Sequence, residues 1–120
     1  MARVLVVDDV ADLCDLLSEM LLNAGFDVVT VSSVDEAKDF LSRCDHGYVV
    51  LLDLGFPGPP GQALLDWIRL HPIHRSAPVI VMTADARVKA VPGSAALLRK
   101  PLDVDRLSAT LKSHYERWTN

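Results

Sequence analysis

Four short segments of the chain are apolar without interruption, and a fifth is β-branched but more polar. Continuous runs of Val, Ile and Leu are typical of parallel strands that are covered on both faces. The more polar segment suits an edge of the same sheet. We therefore predict five strands, over Val4–Val7, Asp27–Val31, Tyr48–Leu52, Pro78–Met82 and Ala95–Leu98.

Apolar residues at helical spacing separate these predicted strands. Gly25 follows the last apolar position of the first stretch and is expected to end a helix there. Ser33 and Glu36 form a capping box at the start of the second. A third helix is expected over "GQALLDWIRL", and a last one begins near Asp103. The expected buried positions are Leu13, Leu16, Leu17, Met20, Leu21, Ala24, Ala37, Phe40, Leu41, Leu64, Leu65, Ile68, Val104, Leu107 and Leu111.

The segment between the fourth and fifth strands has a weaker helical pattern. "ADARVKAVPGS" gives at most eight residues before Pro92 and Gly93, and a helix of two turns is marginal without tertiary contacts. We expect a short or irregular fourth helix, or mainly loop. The alternation of strands and helices predicts one α/β domain over residues 1–120, with right-handed crossovers between parallel strands.

Charge is divided unevenly along the chain. The net charge is −4, but residues 1–60 carry −8 and residues 61–120 carry +4. The acidic half argues against direct binding to nucleic acid, and no apolar stretch is long enough to cross a membrane. Cys14 and Cys44 lack the spacing of a metal site and are expected to be reduced thiols. We therefore expect a cytoplasmic protein that binds neither nucleic acid nor membranes.

Polar residues follow the predicted strands at one end. Asp8 and Asp9 follow the first strand, Asp53 the third, Thr83 the fourth and Lys100 the fifth. Ligands of open parallel sheets bind at this edge. Three carboxylates there repel one another unless a cation such as Mg²⁺ joins them, while a lysine and a hydroxyl suit a phosphate. The pattern predicts a Mg²⁺-dependent phosphoryl site with a carboxylate nucleophile; Asp9 also suits a second interpretation, as a helix cap.

Four motifs, "VDD", "LLDLGFPGPPG", "VIVMTA" and "LLRKPLD", occur in an order and spacing that resemble the receiver domain of two-component response regulators. The resemblance covers the whole chain. It implies a flavodoxin-like fold with strand order 2-1-3-4-5 and a cis peptide bond between Lys100 and Pro101. It also implies a signalling phosphoacceptor rather than an enzyme, which promotes its own aspartyl phosphorylation and dephosphorylation.

The same resemblance assigns roles to the site residues. Asp53 would accept a phosphoryl group from a histidine kinase or a histidine phosphotransfer protein. Mg²⁺ would be held by Asp8, Asp9 and Asp53 together with the backbone carbonyl of Gly55. Thr83 and Lys100 would contact the phosphoryl oxygens. Phosphorylation would then switch binding to a downstream effector or output domain, or to a second copy in a homodimer.

The chain departs from the family pattern near the fifth strand. Leu97 stands where the family has an aromatic side chain that couples the site to the surface, and the stretch from Thr83 to Lys100 is shorter than usual. Gly55 has no side chain to orient an attacking water, a role that Asp85 is able to take. The missing aromatic residue and the shortened stretch favour an alternative, a receiver-fold docking module that acts independently of phosphorylation. The intact acidic site argues against that alternative.

Other chemistries fit the residues less well. A phosphohydrolase of the haloacid dehalogenase type needs a second acid where Gly55 stands, and a flavodoxin needs a phosphate-binding loop where the acidic "DDVADL" stands. The pair His71 and His74 in "HPIH" lies away from the acidic edge, so we expect two surface histidines rather than metal ligands.

Overall fold

The computed structural model describes residues 2–53 and 60–119 of the chain. All five predicted strands are present, and three of them begin and end one residue later than predicted. The strands are β1 (Arg3–Val7), β2 (Asp27–Val31), β3 (Val49–Asp53), β4 (Val79–Thr83) and β5 (Ala96–Arg99). The helices are α1 (Ala11–Asn23), α2 (Val34–Ser42), α3 (Pro60–Leu70) and α4 (Val104–Thr119).

The five strands form one parallel sheet in the order β2-β1-β3-β4-β5. In the register of the sheet, Val7 of β1 pairs with Val31 of β2 and with Leu52 of β3. β3, the central strand, is buried along its whole length. The predicted flavodoxin-like order is therefore confirmed, and the carboxyl ends of β1 and β3 lie side by side at one edge.

Two hydrophobic clusters, one on each face of the sheet, form the core. Alternate residues of each strand point to opposite faces, so Leu5 and Val7 belong to one cluster while Val4 and Val6 belong to the other. Helices α2 and α3 cover the first face with Ala37, Leu41, Leu64, Leu65 and Ile68. Helices α1 and α4 cover the second face with Leu17, Leu21, Leu107 and Leu111.

The helix ends largely follow the predicted capping residues. Ser33 is the N-cap of α2, where its hydroxyl accepts a hydrogen bond from the Glu36 N–H at 3.0 Å. The Glu36 carboxylate reaches back to the N–H of Ser32 rather than to that of Ser33. Gly25 follows α1 with a φ of 94°, a conformation that favours glycine.

Two predicted core positions are wrong. The side chain of Leu16 on α1 is 53% exposed, and that of Val104 at the start of α4 is 38% exposed. The buried residues of α1 are Cys14, Leu17 and Leu21. The apolar stripe of this helix is therefore wider than the surface that the fold covers, and Leu16 lies at its uncovered margin.

Residues 84–95, which we call the β4–β5 segment, contain no helix. Of the predicted alternatives, a short or irregular fourth helix or mainly loop, the structure has turns and loop. The described part of the chain therefore has four helices. Val91 packs into the core, whereas most of the segment is exposed. Because two turns of helix bury too little surface to offset ordering the chain, tertiary contacts decide the conformation here.

The prediction of a surface position for His74 is also wrong. Its side chain is 1% exposed, and its Nε2 bonds to the carbonyl oxygen of Leu41 at 2.8 Å. The imidazole has an apolar body, and the Leu41 carbonyl oxygen is a partner for one of its two nitrogens. His71 is half-buried, with its ring centroid 4.7 Å from that of His74. Across residues 2–53 and 60–119, no helix is long and apolar enough to cross a membrane.

Candidate functional site

Three carboxylates meet at the carboxyl edge of the sheet. Asp53 is the last residue of β3, and Asp8 follows β1 directly, so the parallel pairing of the two strands places them side by side. Asp8 and Asp53 are buried, at 0% and 2% exposure, whereas Asp9 is exposed. Each of the three offers a carboxylate oxygen, and these oxygens all lie within 4.8 Å of one another.

The buried carboxylate of Asp8 is in an unfavourable environment for a charge. Desolvation by burial raises its pKa above the ordinary value, and the neighbouring Asp53 acts in the same direction. The Val10 N–H, which donates to Oδ1 at 2.9 Å, and the more distant charge of Lys100 counteract part of this rise. The other oxygen, Oδ2, is buried and has no hydrogen-bond partner among residues 2–53 and 60–119.

Lys100 supplies positive charge to this cluster. Its Nζ lies 3.0 Å from Oδ1 of Asp53, and the two side chains are 25% and 3% exposed. The backbone N–H of Lys100 donates to the carbonyl oxygen of Thr83 at 2.8 Å, which continues the pairing of β4 and β5. The Lys100–Pro101 bond is cis, as the resemblance implies.

Thr83 is buried at the end of β4, opposite Arg99 in the register of the sheet. Its Oγ accepts a hydrogen bond from the N–H of Asp85 at 3.0 Å. The Asp85 carboxylate is itself engaged by Arg87, whose Nε and Nη2 lie 3.0 Å from its two oxygens. This pairing lowers the pKa of Asp85 to about 2. Asp85 therefore points its charge at Arg87 rather than lying free beside the cluster.

The donor set fits Mg²⁺. Oxygen ligands from carboxylates are those that hard divalent cations prefer. The Oδ2 of Asp8, which has no partner in the described part of the chain, is a buried acceptor that a cation would satisfy. The structure thus brings together Asp8, Asp9, Asp53 and Lys100 as predicted, with Thr83 at the end of the neighbouring strand. The predicted carbonyl ligand, Gly55, lies outside the described residues.

The alternative role of Asp9 as a helix cap is not realised. Val10 occupies the N-cap position of α1, and no side chain caps that helix. The Val10 N–H is instead bonded to Asp8. Asp9 is thereby left exposed at the edge of the cluster, with its carboxylate within reach of the other two.

Comparison with known proteins identifies the family. The family profile of the response regulator receiver domain matches residues 4–112. The chain belongs to the response regulator receiver domain family. Receiver domains are signalling modules of two-component systems, and Mg²⁺ binding at an acidic pocket is typical of them.

Individual relatives agree with this assignment. The receiver domain is 36% identical over 118 residues to the response regulator protein FleR of Pseudomonas aeruginosa, covering 94% of this chain and 24% of FleR. It is 30% identical over 119 residues to the transcriptional regulatory protein GltR of the same organism, covering 95% of this chain and 49% of GltR. The chain therefore spans a quarter to a half of the length of these two curated relatives.

A solved structure supports the fold. The crystal structure of a response regulator receiver domain protein from Clostridium thermocellum superposes with a TM-score of 0.86 at 26% identity, covering 99% of this chain and 98% of that one. The absence of a helix between β4 and β5 and the aliphatic Leu97 on β5 are thus local features of a receiver domain with an otherwise ordinary sheet.

Several residues that shape the site were not among the predicted site residues. Cys14 is buried, and its Sγ donates to the carbonyl oxygen of Asp8 at 3.1 Å. Its spacing of three and seven residues from Leu17 and Leu21 is the signal that predicts this inward position. Arg69 and Arg99 bind backbone carbonyls of the β4–β5 segment, and nothing in the sequence marks such acceptors.

An apolar groove borders the site on the α1 side. It has a volume of about 260 Å³. Leu16, one of the most exposed leucines of the described chain, lies along it, and Lys100 lies at one end. The groove is lined by Leu13, Leu16, Leu17, Met20, Lys100, Pro101 and Leu102.

Proposed function

We propose that this chain is the phosphoacceptor receiver of a two-component or phosphorelay system, and that Asp53 accepts the phosphoryl group from a phosphohistidine. The single observation that carries the proposal is the 3.0 Å contact between Lys100 Nζ and Asp53 Oδ1 inside a cluster of three carboxylates. A lysine held at this distance stabilises the charged form of a buried carboxylate, which is the form that acts as a nucleophile.

The chemistry uses groups that the fold already brings to one edge. A carboxylate oxygen of Asp53 attacks phosphorus, a new P–O bond forms, and the P–N bond to the donor histidine breaks. The leaving imidazole keeps the bonding electron pair. Lys100 and Thr83 donate to the phosphoryl oxygens, where negative charge accumulates in phosphoryl transfer. Dephosphorylation is a separate hydrolysis, in which water attacks phosphorus, the P–O bond to Asp53 breaks, inorganic phosphate leaves and the Asp53 carboxylate is regenerated.

The acidic cluster provides a place for a divalent cation. Mg²⁺ held by Asp8, Asp9 and Asp53, with the carbonyl of Gly55 as a further proposed ligand, would neutralise charge on the phosphoryl oxygens. Asp8 is the residue best prepared for this role, because one of its oxygens is buried and has no hydrogen-bond partner among the residues that the structure describes. Exposed Asp9 is the ligand closest to solvent and hence to an incoming ion.

The phosphoryl donor is a histidine kinase or a histidine phosphotransfer protein. A protein that delivers a phosphoryl group to Asp53 must approach the edge of the sheet beside Lys100, where the groove along α1 presents apolar surface. Burying exposed Leu16 against such a donor would provide binding free energy close to the reacting atoms. Phosphorylation would then alter binding of a downstream effector, an output domain or a second copy of the chain, in the cytoplasm.

Binding of beryllofluoride, a stable mimic of an aspartyl phosphate, tests the proposal. Amide NMR shifts of the wild type are compared with those of Asp53→Asn, which keeps the size of the side chain. Acetyl phosphate followed by intact mass gives a covalent check. We expect saturable, Mg²⁺-dependent shifts and a single added phosphoryl group, both lost in the variant. A folded wild type that shows neither would overturn the proposal and favour a docking module that works without phosphorylation.

A further inference from the structure

Arg99 occupies an unusual place between the site and the β4–β5 segment. It is the last residue of β5, pairs with Thr83 of β4 in the register of the sheet, and precedes Lys100 directly. Its guanidinium crosses to the main chain of the segment. Nη1 donates to the carbonyl oxygen of Asp85 at 2.9 Å, and Nη2 donates to that of Val88.

These two contacts hold one turn of chain. The N–H of Val88 donates to the carbonyl oxygen of Asp85 at 3.2 Å, which closes a turn over residues 85–88. The same Asp85 oxygen accepts from Arg99. A guanidinium presents several N–H groups in a fixed planar arrangement, so a single side chain is able to fix both ends of the turn.

The 85–88 turn also positions a hydrogen bond to Thr83. The N–H of Asp85 donates to Thr83 Oγ at 3.0 Å. A hydroxyl has one hydrogen to donate and two lone pairs that accept. With one lone pair of the Thr83 oxygen occupied by the amide, the direction in which its hydrogen is donated is restricted.

We propose that Arg99 is a positioning residue for phosphoryl transfer, which holds the 85–88 turn so that the Thr83 hydroxyl is directed at the phosphoryl group on Asp53. The inference rests on the proposed function. It gives the helix-free segment a role at the site that does not depend on an aromatic residue at position 97. In this proposal Arg99 acts through the turn and Thr83 rather than on the phosphoryl group itself.

The other end of the segment is anchored independently of the site. Arg69 of α3 donates from Nε and Nη2 to the carbonyl oxygen of Gly93, at 3.2 and 2.6 Å, and Gln62 donates to that of Pro92 at 3.3 Å. Gln62→Ala therefore loosens the segment without touching the 85–88 turn. It is the matched control for Arg99→Ala.

A double-mutant cycle tests the role of Arg99. Phosphorylation rates with acetyl phosphate are measured for the wild type, Arg99→Ala, Thr83→Ala and the double variant. We expect Arg99→Ala to slow phosphorylation about three- to tenfold, the range that one or two hydrogen bonds span. In the Thr83→Ala background, Arg99→Ala should not slow phosphorylation further, because Arg99 acts through Thr83. Gln62→Ala should leave the rate within twofold of the wild type.

Hydrogen exchange supplies a readout that does not need phosphorylation. The Asp85 amide should exchange faster in Arg99→Ala than in Gln62→Ala. Arg99→Lys, which keeps the charge but not the planar pair of donors, should recover only part of the loss. Arg99→Gln replaces Arg99→Ala if the latter does not fold.

Two results would overturn the inference. One is an equal loss of rate on removing Arg99 in the presence and absence of Thr83. The other is an unchanged Asp85 exchange rate in a folded Arg99 variant. If the wild type takes up no phosphoryl group, the proposed function fails, and the exchange measurement alone still decides whether Arg99 holds the turn.

Discussion

Lys100 Nζ lies 3.0 Å from Asp53 Oδ1, and this ion pair joins the last residue of β3 to the residue that follows β5, two strands separated by β4. The Asp53 side chain is almost fully buried, and the Lys100 side chain is three-quarters buried. Removing one partner of such a pair leaves a charge with less compensation, which is more destabilising than removing both.

We expect Lys100→Met to lower the free energy of unfolding by about 1–3 kcal/mol in Mg²⁺-free buffer. Asp53→Asn should offset most of this loss when the two changes are combined. Urea unfolding of the four proteins gives the coupling free energy. Arg43→Met is the control, because the Arg43–Asp39 pair is 72% and 69% exposed and should contribute little. Additive losses at Lys100 and Asp53 would contradict a direct pair.

We expect the Asp8 carboxylate to lower the stability of the fold without Mg²⁺ and to be required for Mg²⁺ binding. Asp8→Asn removes a buried charge that lies beside Asp53, while the amide oxygen still accepts from the Val10 N–H. The free energy of unfolding in Mg²⁺-free buffer should rise by about 1 kcal/mol, and stabilisation by added Mg²⁺ should be lost. Asp9→Asn, at an exposed position, should change stability less. An Asp8→Asn protein that is no more stable than the wild type would refute this view of the site.

The groove along α1 can be tested with two leucines of nearly equal exposure. Leu16, 53% exposed, lines the groove, and Leu22, 54% exposed, lies on the same helix outside it. We expect Leu16→Asp to slow phosphoryl transfer from a histidine phosphodonor protein at least tenfold, because a charge replaces apolar contact area. Transfer from acetyl phosphate, which needs no protein interface, should be unchanged.

Leu22→Asp should leave both reactions unchanged. If Leu16→Asp and Leu22→Asp slow protein-mediated transfer equally, the donor contacts a different face. If Leu16→Asp also slows the acetyl phosphate reaction, the substitution has disturbed the site itself.

Burial of His74 predicts a pH dependence of stability. Desolvation lowers the pKa of His74 below the ordinary value of 6.5. As the pH falls through 6.5, the unfolded state binds a proton that the folded state does not, so the free energy of unfolding decreases. His114, whose pKa is lowered by burial and by Arg117, contributes in the same direction.

The measurement is urea unfolding between about pH 5 and pH 7.5, a range chosen to bracket the ordinary histidine pKa. His74→Gln keeps a donor for the Leu41 carbonyl and removes the titration, so stability should fall less steeply toward acid pH. His114→Gln should remove a smaller part of the slope. Parallel curves for the wild type and His74→Gln would exclude His74 as a source of the dependence.

Gly47 provides a test of how α4 is fixed to the sheet. A Cβ at this position would overlap the ring of Trp118, whose Nε1 donates to the hydroxyl of Ser76 at 3.1 Å. Gly47→Ala should lower the free energy of unfolding by about 1–3 kcal/mol, since the indole is forced from its site. Trp118 fluorescence in a Trp67→Phe background reports the displacement. In a Trp118→Ala background, Gly47→Ala should be tolerated. An equal loss of the free energy of unfolding in that background would point to the backbone of Gly47 instead.

The meeting of Asp8, Asp53 and Lys100 was predictable because parallel strands must end at one edge of their sheet. The burial of His74 was not predictable, because it depends on the carbonyl oxygen of Leu41 in α2, which lies 33 residues away along the chain. The exposure of Leu16 was missed since apolar spacing locates a stripe but not the width that neighbouring elements cover. The anchoring roles of Arg69 and Arg99 were not predictable either, because their partners are main-chain carbonyl oxygens, which every residue type has.

The β4–β5 segment is held largely through its main-chain atoms, with Val91 as its buried side chain. Arg99, Gln62 and Arg69 bind carbonyl oxygens of Asp85, Val88, Pro92 and Gly93, whereas Ala86, Arg87, Lys89 and Ala90 are exposed. Substitution at these exposed positions leaves the anchors in place. The exposed side chains of the segment are thus free to diverge or be engineered for recognition of new partners, while the proposed phosphoacceptor site beside them stays the same.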